Sequence, residues 1–251
     1  MALQEEFEKQ GNCLFKYRSH MPILVLLMGL VLYIIKEIHP ETSFIKDLSL
    51  EIYFESLALF ISLIGLFIRV YTVGHTPKNT SGRNTKEGQV ADSLNTSGIY
   101  SIVRHPLYLG NFLMWFGPVM LTGHLWFIAF FILFYWLYYE RIMYAEEQFL
   151  RKKFGTQYLE WSKNVPAFIP KLHQFRKSDL PFSFRKVLKK EKNGLFALFL
   201  IFCVFDLSGA YLNPETGYSY FLISMSILTG LAYVIIKFIK NKTTWLEEVN
   251  R

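Results

Sequence analysis

The sequence predicts an all-α fold, a polytopic integral membrane bundle of about six transmembrane helices. Three observations carry this. Of 251 residues, 52% are apolar and 18% aromatic, while 19% are charged, below the roughly 25% of soluble domains. The apolar residues are gathered into long blocks, as bilayer spans require, and are not spread at amphipathic spacing. Basic residues crowd the segments between alternate blocks, the asymmetry expected of a membrane topology.

The first block, about 21 to 36, is short. At a rise of about 1.5 Å per residue it barely crosses a hydrocarbon core of roughly 30 Å, so little tilt or an extension toward Phe15 is expected. It follows Glu5, Glu6 and Glu8, and no small-x-small cleavage pattern comes after it, so it is expected to stay as a span. The remaining blocks cover about 52 to 73, 107 to 122, 124 to 143, 194 to 212 and 219 to 239. Blocks three and four meet at Thr122-Gly123-His124, the length of a tight helical hairpin. Cys13 and Cys203 lie far apart, one in a polar segment and one in an apolar block, so neither a disulfide nor a metal site is expected. The chain divides into an amino-terminal segment with the first span (1–50), a core (51–175), and a basic connector with two further spans (176–251).

With the amino terminus inside, Lys36 and Lys46 fall at the outer face and the other 25 of the 27 Lys and Arg lie on the cytoplasmic side. The outer loops carry acids instead: Glu37, Glu41, Asp47 and Glu51 in one, Asp206 and Glu215 in the other. Both termini are therefore expected to be cytoplasmic. The connector, with Lys186, Lys189 and Lys190 among its basic residues, reads as a topology signal attracted to anionic head groups, worth about 1 kcal/mol per basic residue. Nucleic acid is not an expected partner, because this charge sits against a membrane.

Two constellations stand at the cytoplasmic mouth. In SIVRHPLYLG, His105 precedes Pro106, which pushes it out of the helical region, while Pro106 suits the first position of a helix. Arg104 and His105 thus approach a helix end whose unpaired amides and dipole attract anions. After span four, Glu146 and Glu147 continue helically. Adjacent residues point about 100° apart, so one carboxylate is expected to face a pocket while the other faces solvent or pairs with Arg151. Gly155, Pro166 and Pro170 then end the helix and lay a strap along the interface.

RHPLYLG (104–110), EEQFLRKKFGTQYLEW (146–161) and VPAFIP (165–170), in that order, resemble the isoprenylcysteine carboxyl methyltransferase and phospholipid methyltransferase families. The resemblance covers about residues 57 to 171. It implies a membrane enzyme that uses S-adenosylmethionine in a cytoplasm-facing pocket. The loop from 75 to 112 looks most like bacterial enzymes that methylate the 1-phosphate of lipid A, which implies a membrane lipid as substrate and a bacterial inner membrane as location. The sequence departs from the broad pattern in that long loop, in Trp161 where tyrosine is common, and in the two spans after residue 193.

Methyl transfer from a sulfonium needs two reactants held in line and water excluded. An ionised phosphate or carboxylate needs positioning by cations more than a strong base. Arg69 and Arg104 are the candidates for that catalytic role, because arginine forks match phosphate oxygens. Lys78, Arg83 and Arg141 are further candidate contacts to the acceptor. For the cofactor, the sulfonium is expected near Tyr100, Tyr108 or Tyr144 by cation–π attraction of roughly 0.5 to 2 kcal/mol. Glu146 or Glu147 binds its amine or ribose, and His105 its carboxylate, with Gly98, Pro106 and Leu107 completing the wall.

Plainer readings stand beside each of these. Arg104 alone is a positive-inside anchor, His105 alone a helix cap, and Glu146-Glu147 alone a solvated face. Tyr135, Trp136, Tyr138 and Tyr139 read as an interfacial belt and not a cofactor box, and Glu55 as shallow. Two other function classes compete. A membrane sterol-type reductase uses NADPH, whose phosphates the paired glutamates repel. A transporter needs broken spans or midplane charges, of which the blocks hold few. Acceptor alternatives are an isoprenylcysteine-like carboxylate and the nitrogen of phosphatidylethanolamine.

Overall fold

The computed structural model describes residues 2–45, 48–80, 84–85, 88–214 and 217–248. Seven helices lie among the described residues: α1 (Leu3–Tyr17), α2 (Met21–Ile38), α3 (Leu48–Gly74), α4 (Pro106–Leu121), α5 (Leu125–Asn164), α6 (Phe184–Leu212) and α7 (Tyr220–Lys242). A two-residue antiparallel pair, Asn84–Thr85 with Gly88–Gln89, interrupts the long loop before α4. All except α1 and α4 are long and apolar enough to cross a membrane. Helix α4 has 16 residues and an internal Pro118, so it rises about 24 Å, short of a full hydrocarbon core.

The first span does not extend toward Phe15. A turn after Tyr17 separates α1 from α2, and Pro22 sits in the first turn of α2, where its missing N–H costs nothing. Helix α1 is a separate amphipathic element, and it buries Gly11 and Phe15. Gly11 lets the two backbones meet, since a Cβ there would come 2.7 Å from that of Ala145 in α5.

Consecutive spans run in opposite directions. At one end Phe44 N donates to Gly123 O (3.0 Å) and Asn213 Nδ2 to Glu37 O (3.1 Å). Lys36 is buried there between Glu37, at 3.3 Å, and Glu51. At the other end Ser183 N donates to Gly74 O at 2.8 Å. The first end gathers the acidic loops and the second the basic ones, so the bundle has the polarity that the charge pattern predicts. Glu55 lies two turns into α3 from the acidic end and lines a cavity there with Asp206.

Helix α4 sits at the centre of the bundle. One core cluster joins Tyr108 and Val119 of α4 to Phe127, Phe131 and Tyr135 of α5, with Phe15, Met21 and Val25. A second joins Met120 and Leu121 to Ala58 and Leu66 of α3 and to Leu198, Phe202 and Phe205 of α6. Large apolar side chains such as Phe60, Leu133, Leu231 and Val234 point outward and exposed, the pattern of helices solvated by lipid. Gly110, the last residue of the RHPLYLG motif, permits the tight α3–α4 contact. A Cβ there would lie 2.6 Å from Arg69 Cγ and 2.8 Å from Gly65 O.

Candidate active site

The approach to α4 is built by the strap. Arg104 N donates to Pro166 O (2.9 Å), His105 N to Ala167 O (3.1 Å) and Lys171 N to Ile102 O (3.0 Å). The VPAFIP segment thus holds residues 102–105 out of the helix, with His105 at φ −120°, ψ 61° before Pro106. Trp161 Nε1 donates to Tyr100 O at 3.1 Å, and Arg176 N to Ser101 Oγ at 2.9 Å. Gly155, at φ 51° and ψ −125°, breaks α5 and turns the chain toward this strap.

These elements enclose a cavity of about 260 Å³. Of the sequence-predicted residues, Arg69, Tyr100, Arg104, His105, Pro106, Leu107, Tyr108 and Glu146 line it. Tyr108 Oη donates to Glu146 Oε2 at 3.0 Å. His105 lies between both glutamates, with Nδ1 3.6 Å from Glu146 Oε2 and Nε2 2.9 Å from Glu147 Oε1. Arg104 Nε lies 3.3 Å from the same Glu147 oxygen, a charge contact without hydrogen-bond alignment. Both carboxylates therefore serve the site. This corrects the expectation that one of them faces solvent or pairs with Arg151: Glu146 meets the cavity, and Glu147 stands behind it and fixes His105 and Arg104.

Burial disfavours the charged His105 ring, but hydrogen bonds and charge from Glu146 and Glu147 overcome it and raise its pKa from 6.5 to about 9. The ring is thus an imidazolium at neutral pH. Such a group adds stability that is fully present below about pH 6.5 and lost as pH rises through about 9. Melting curves in detergent should show wild type exceeding His105→Gln most below that window, with the gap closing across it. A gap independent of pH counts against the charged ring. Burial, with Glu146 adding, also pushes the Tyr100 hydroxyl up, so it stays protonated.

Several expected contacts are not made. Gly98 does not reach the cavity; its φ of 60° begins the turn at Ile99–Ser101, and it bridges to Arg176. Tyr144 packs edge-on against Phe7 of α1, centroids 5.9 Å apart. Arg141 lies 3.6 Å over that same ring, in the α1–α5 interface. Lys78 lines a neighbouring cavity, and Arg83 lies outside the described residues. The fork of Arg69 is committed: Nε and Nη2 each donate to Glu191 at 2.8 Å and Nη1 to Asn111 Oδ1 at 2.5 Å. Nor do Tyr135 and Tyr139 form an interfacial belt. They are 1% and 3% exposed and stack at 4.1 Å behind the cavity, where Tyr135 Oη donates to Tyr108 O (2.6 Å). Trp136 and Tyr138 keep more exposure.

Sequence reasoning missed Arg18, Asn95, Asn111, Phe149 and Trp161 as lining residues. Asn111 directly follows the RHPLYLG motif, which is a signal for it. Arg18 carries none, because α1 brings it to the cavity only through tertiary packing.

Residues 53–157 match the phospholipid methyltransferase family. The chain is also 43% identical over 79 residues to protein-S-isoprenylcysteine O-methyltransferase B of Arabidopsis thaliana, covering 31% of this chain and 39% of that one. It is 39% identical over 77 residues to the protein-S-isoprenylcysteine O-methyltransferase of Schizosaccharomyces pombe, 31% and 33% of the two chains. With methanethiol S-methyltransferase 2 of Bradyrhizobium diazoefficiens it shares 38% over 88 residues, 35% and 32% of the two. The matched segment thus spans a third to two-fifths of each of these relatives.

Proposed function

We propose that this chain is a membrane enzyme that transfers the methyl group of S-adenosylmethionine to an ionised oxygen of a membrane-embedded acceptor, with the 1-phosphate of lipid A as the first candidate. The carrying observation is that Glu146 faces the same cavity as Arg18 and Arg104, a charge pair suited to the amine and carboxylate of an amino-acid cofactor. The family match over residues 53–157 supports the same reading. Residues 51–175 are then the transfer core. Both termini are cytoplasmic, in a bacterial inner membrane, a placement supported by the basic residues gathered at the cavity's end of the bundle.

The cavity's own groups fit this cofactor. Glu146 accepts from its amine or ribose hydroxyls, Arg18 and Arg104 pair with its carboxylate, and Tyr100, Tyr108 and Trp161 offer ring faces. When bound, the donor supplies an electrophilic methyl: the acceptor oxygen bonds to it as the carbon–sulfur bond breaks, the electron pair stays on sulfur, and no proton moves. Glu147 and the His105 imidazolium keep Glu146 and Arg104 oriented, and the strap covers the site from water.

A second acceptor, an isoprenylcysteine-like carboxylate, is favoured by the similarity to the plant and yeast isoprenylcysteine methyltransferases. Calorimetry in detergent checks the donor. S-adenosylhomocysteine is expected to bind, NADPH is not, and Glu146→Gln should weaken binding by about tenfold or more through loss of a charge-assisted hydrogen bond. Binding of NADPH in its place would favour a reductase. Mass spectrometry of lipids from cells with and without the gene then identifies the acceptor. One added methyl on a phosphate-bearing glycolipid supports lipid A, and a shift on phosphatidylethanolamine moves the reaction to nitrogen.

A further inference from the structure

A second cavity, of about 270 Å³, adjoins the first, and Arg69 and Leu107 line both. Its other walls come from the end of α3, the start of α6 and the carboxy-terminal turn, and the last two lie beyond the residues that match the family. We infer that this cavity receives the phosphate-bearing head group of the acceptor lipid and presents it to the methyl donor at the seam where the two cavities meet, marked by Arg69 and Leu107. The inference rests on the transfer reading above.

The electrostatics of the two cavities are sorted. The first has a mixed lining, Glu146 for an amine beside Arg18 and Arg104 for a carboxylate, which suits a zwitterionic amino-acid cofactor. The second presents Lys78, Lys186, Lys189 and Lys190 against Glu191 and Glu248. Glu191 is neutralised by the Arg69 fork. Among the described residues that line it, Lys78, Lys186, Lys189 and Lys190 stand beside one further carboxylate, Glu248, which accepts from Ser183 Oγ. A lysine binds phosphate as a compact point charge, so a cluster of them tolerates several head-group orientations.

The cavity is also preorganised. Lys186 is 7% exposed, and its Nζ is held by Thr76 O, Thr76 Oγ1 and Pro77 O. Its donors are engaged within the protein, so it lends the cavity a fixed positive charge and leaves hydrogen bonding to its neighbours. Leu246, 3% exposed, closes the carboxy-terminal side, and Arg185 packs over the neighbouring Trp245 ring at 5.3 Å. Arg69 at the seam is fixed, tied to α4 through Asn111 and to α6 through Glu191. In-line displacement needs the nucleophile in contact with the methyl, opposite the leaving sulfur. Two cavities that meet at Arg69 and Leu107 place acceptor and donor side by side for it. The two added spans thereby gain a role: α6 carries the acceptor's wall.

The test uses dihexanoyl phosphatidic acid, a lipid with a phosphate monoester head group, titrated calorimetrically into the full chain in neutral detergent. Wild type is expected to bind it, and Lys189→Gln/Lys190→Gln to weaken binding about tenfold or more, while affinity for S-adenosylhomocysteine stays within about twofold. Lys78→Gln, on an exposed side chain, gives an independent arm should the double variant fail to fold. Unchanged lipid affinity in the variants overturns the site. Equal binding of dihexanoyl phosphatidylcholine overturns it too, by showing that only acyl chains are read, and inorganic phosphate binding as tightly as the lipid assigns the cavity to a free ion. Lysine-dependent lipid binding without any S-adenosylhomocysteine binding keeps the phosphate site and removes the transfer reading.

Discussion

Replacing His105 with alanine should destabilise the protein by about 3–5 kcal/mol and abolish measurable S-adenosylhomocysteine binding. The imidazolium lies between Glu146 and Glu147, 3.6 Å from one and 2.9 Å from the other. Its removal leaves two largely buried carboxylates side by side without the cation between them. One carboxylate is then expected to take up a proton and the pair to reorient, so the donor's subsite is lost along with stability. Glutamine at the same position keeps a donor without the charge and should fall between. Thermal unfolding and calorimetry in detergent measure both effects. An alanine variant that melts and binds like wild type would show that the ring merely caps α4.

The second large effect belongs to Arg69. Its fork satisfies both oxygens of Glu191, whose side chain is 5% exposed, so Arg69→Ala strands a buried carboxylate, at a cost of about 3–5 kcal/mol. Removing the pair together is a different perturbation. Arg69→Met with Glu191→Met replaces two charges by apolar chains of similar length and should unfold within about 1 kcal/mol of wild type. If the double variant is as damaged as the single one, the arginine's value lies in its bond to Asn111 and its packing and not in the ion pair. If it is stable, its methyl-transfer rate reports how much a fixed Arg69 matters to the chemistry.

The sequence made five of the six expected spans and the hairpin at Gly123 legible, because bilayer physics writes them as long apolar runs, while α4 is helical but too short to cross alone. The motif at 104–110 and the glutamate pair were legible as partners, since their chemistry is complementary. What escaped has physical reasons. Glu191 sits within a basic run, where a lone acid reads as one more solvated residue, yet the fold buries it against Arg69. Tyr135 and Tyr139 look like belt residues from the aromatic run they belong to, but, four residues apart on α5, they share the helix face that packs into the core. Arg18 and Tyr144 are separated by tertiary packing: α1 brings the first to the cavity and takes the second away from it.

The break at Gly155 divides one long helix into two portions. The portion before it carries outward apolar side chains such as Leu133 and Leu137 and then, further on, the carboxylates of Glu146 and Glu147. The portion after it is fastened through Trp161 and the strap to residues 100–105. A left-handed glycine between them lets the chain turn back, so one helix holds residue 105 twice: by carboxylates before the break and through the strap's backbone after it.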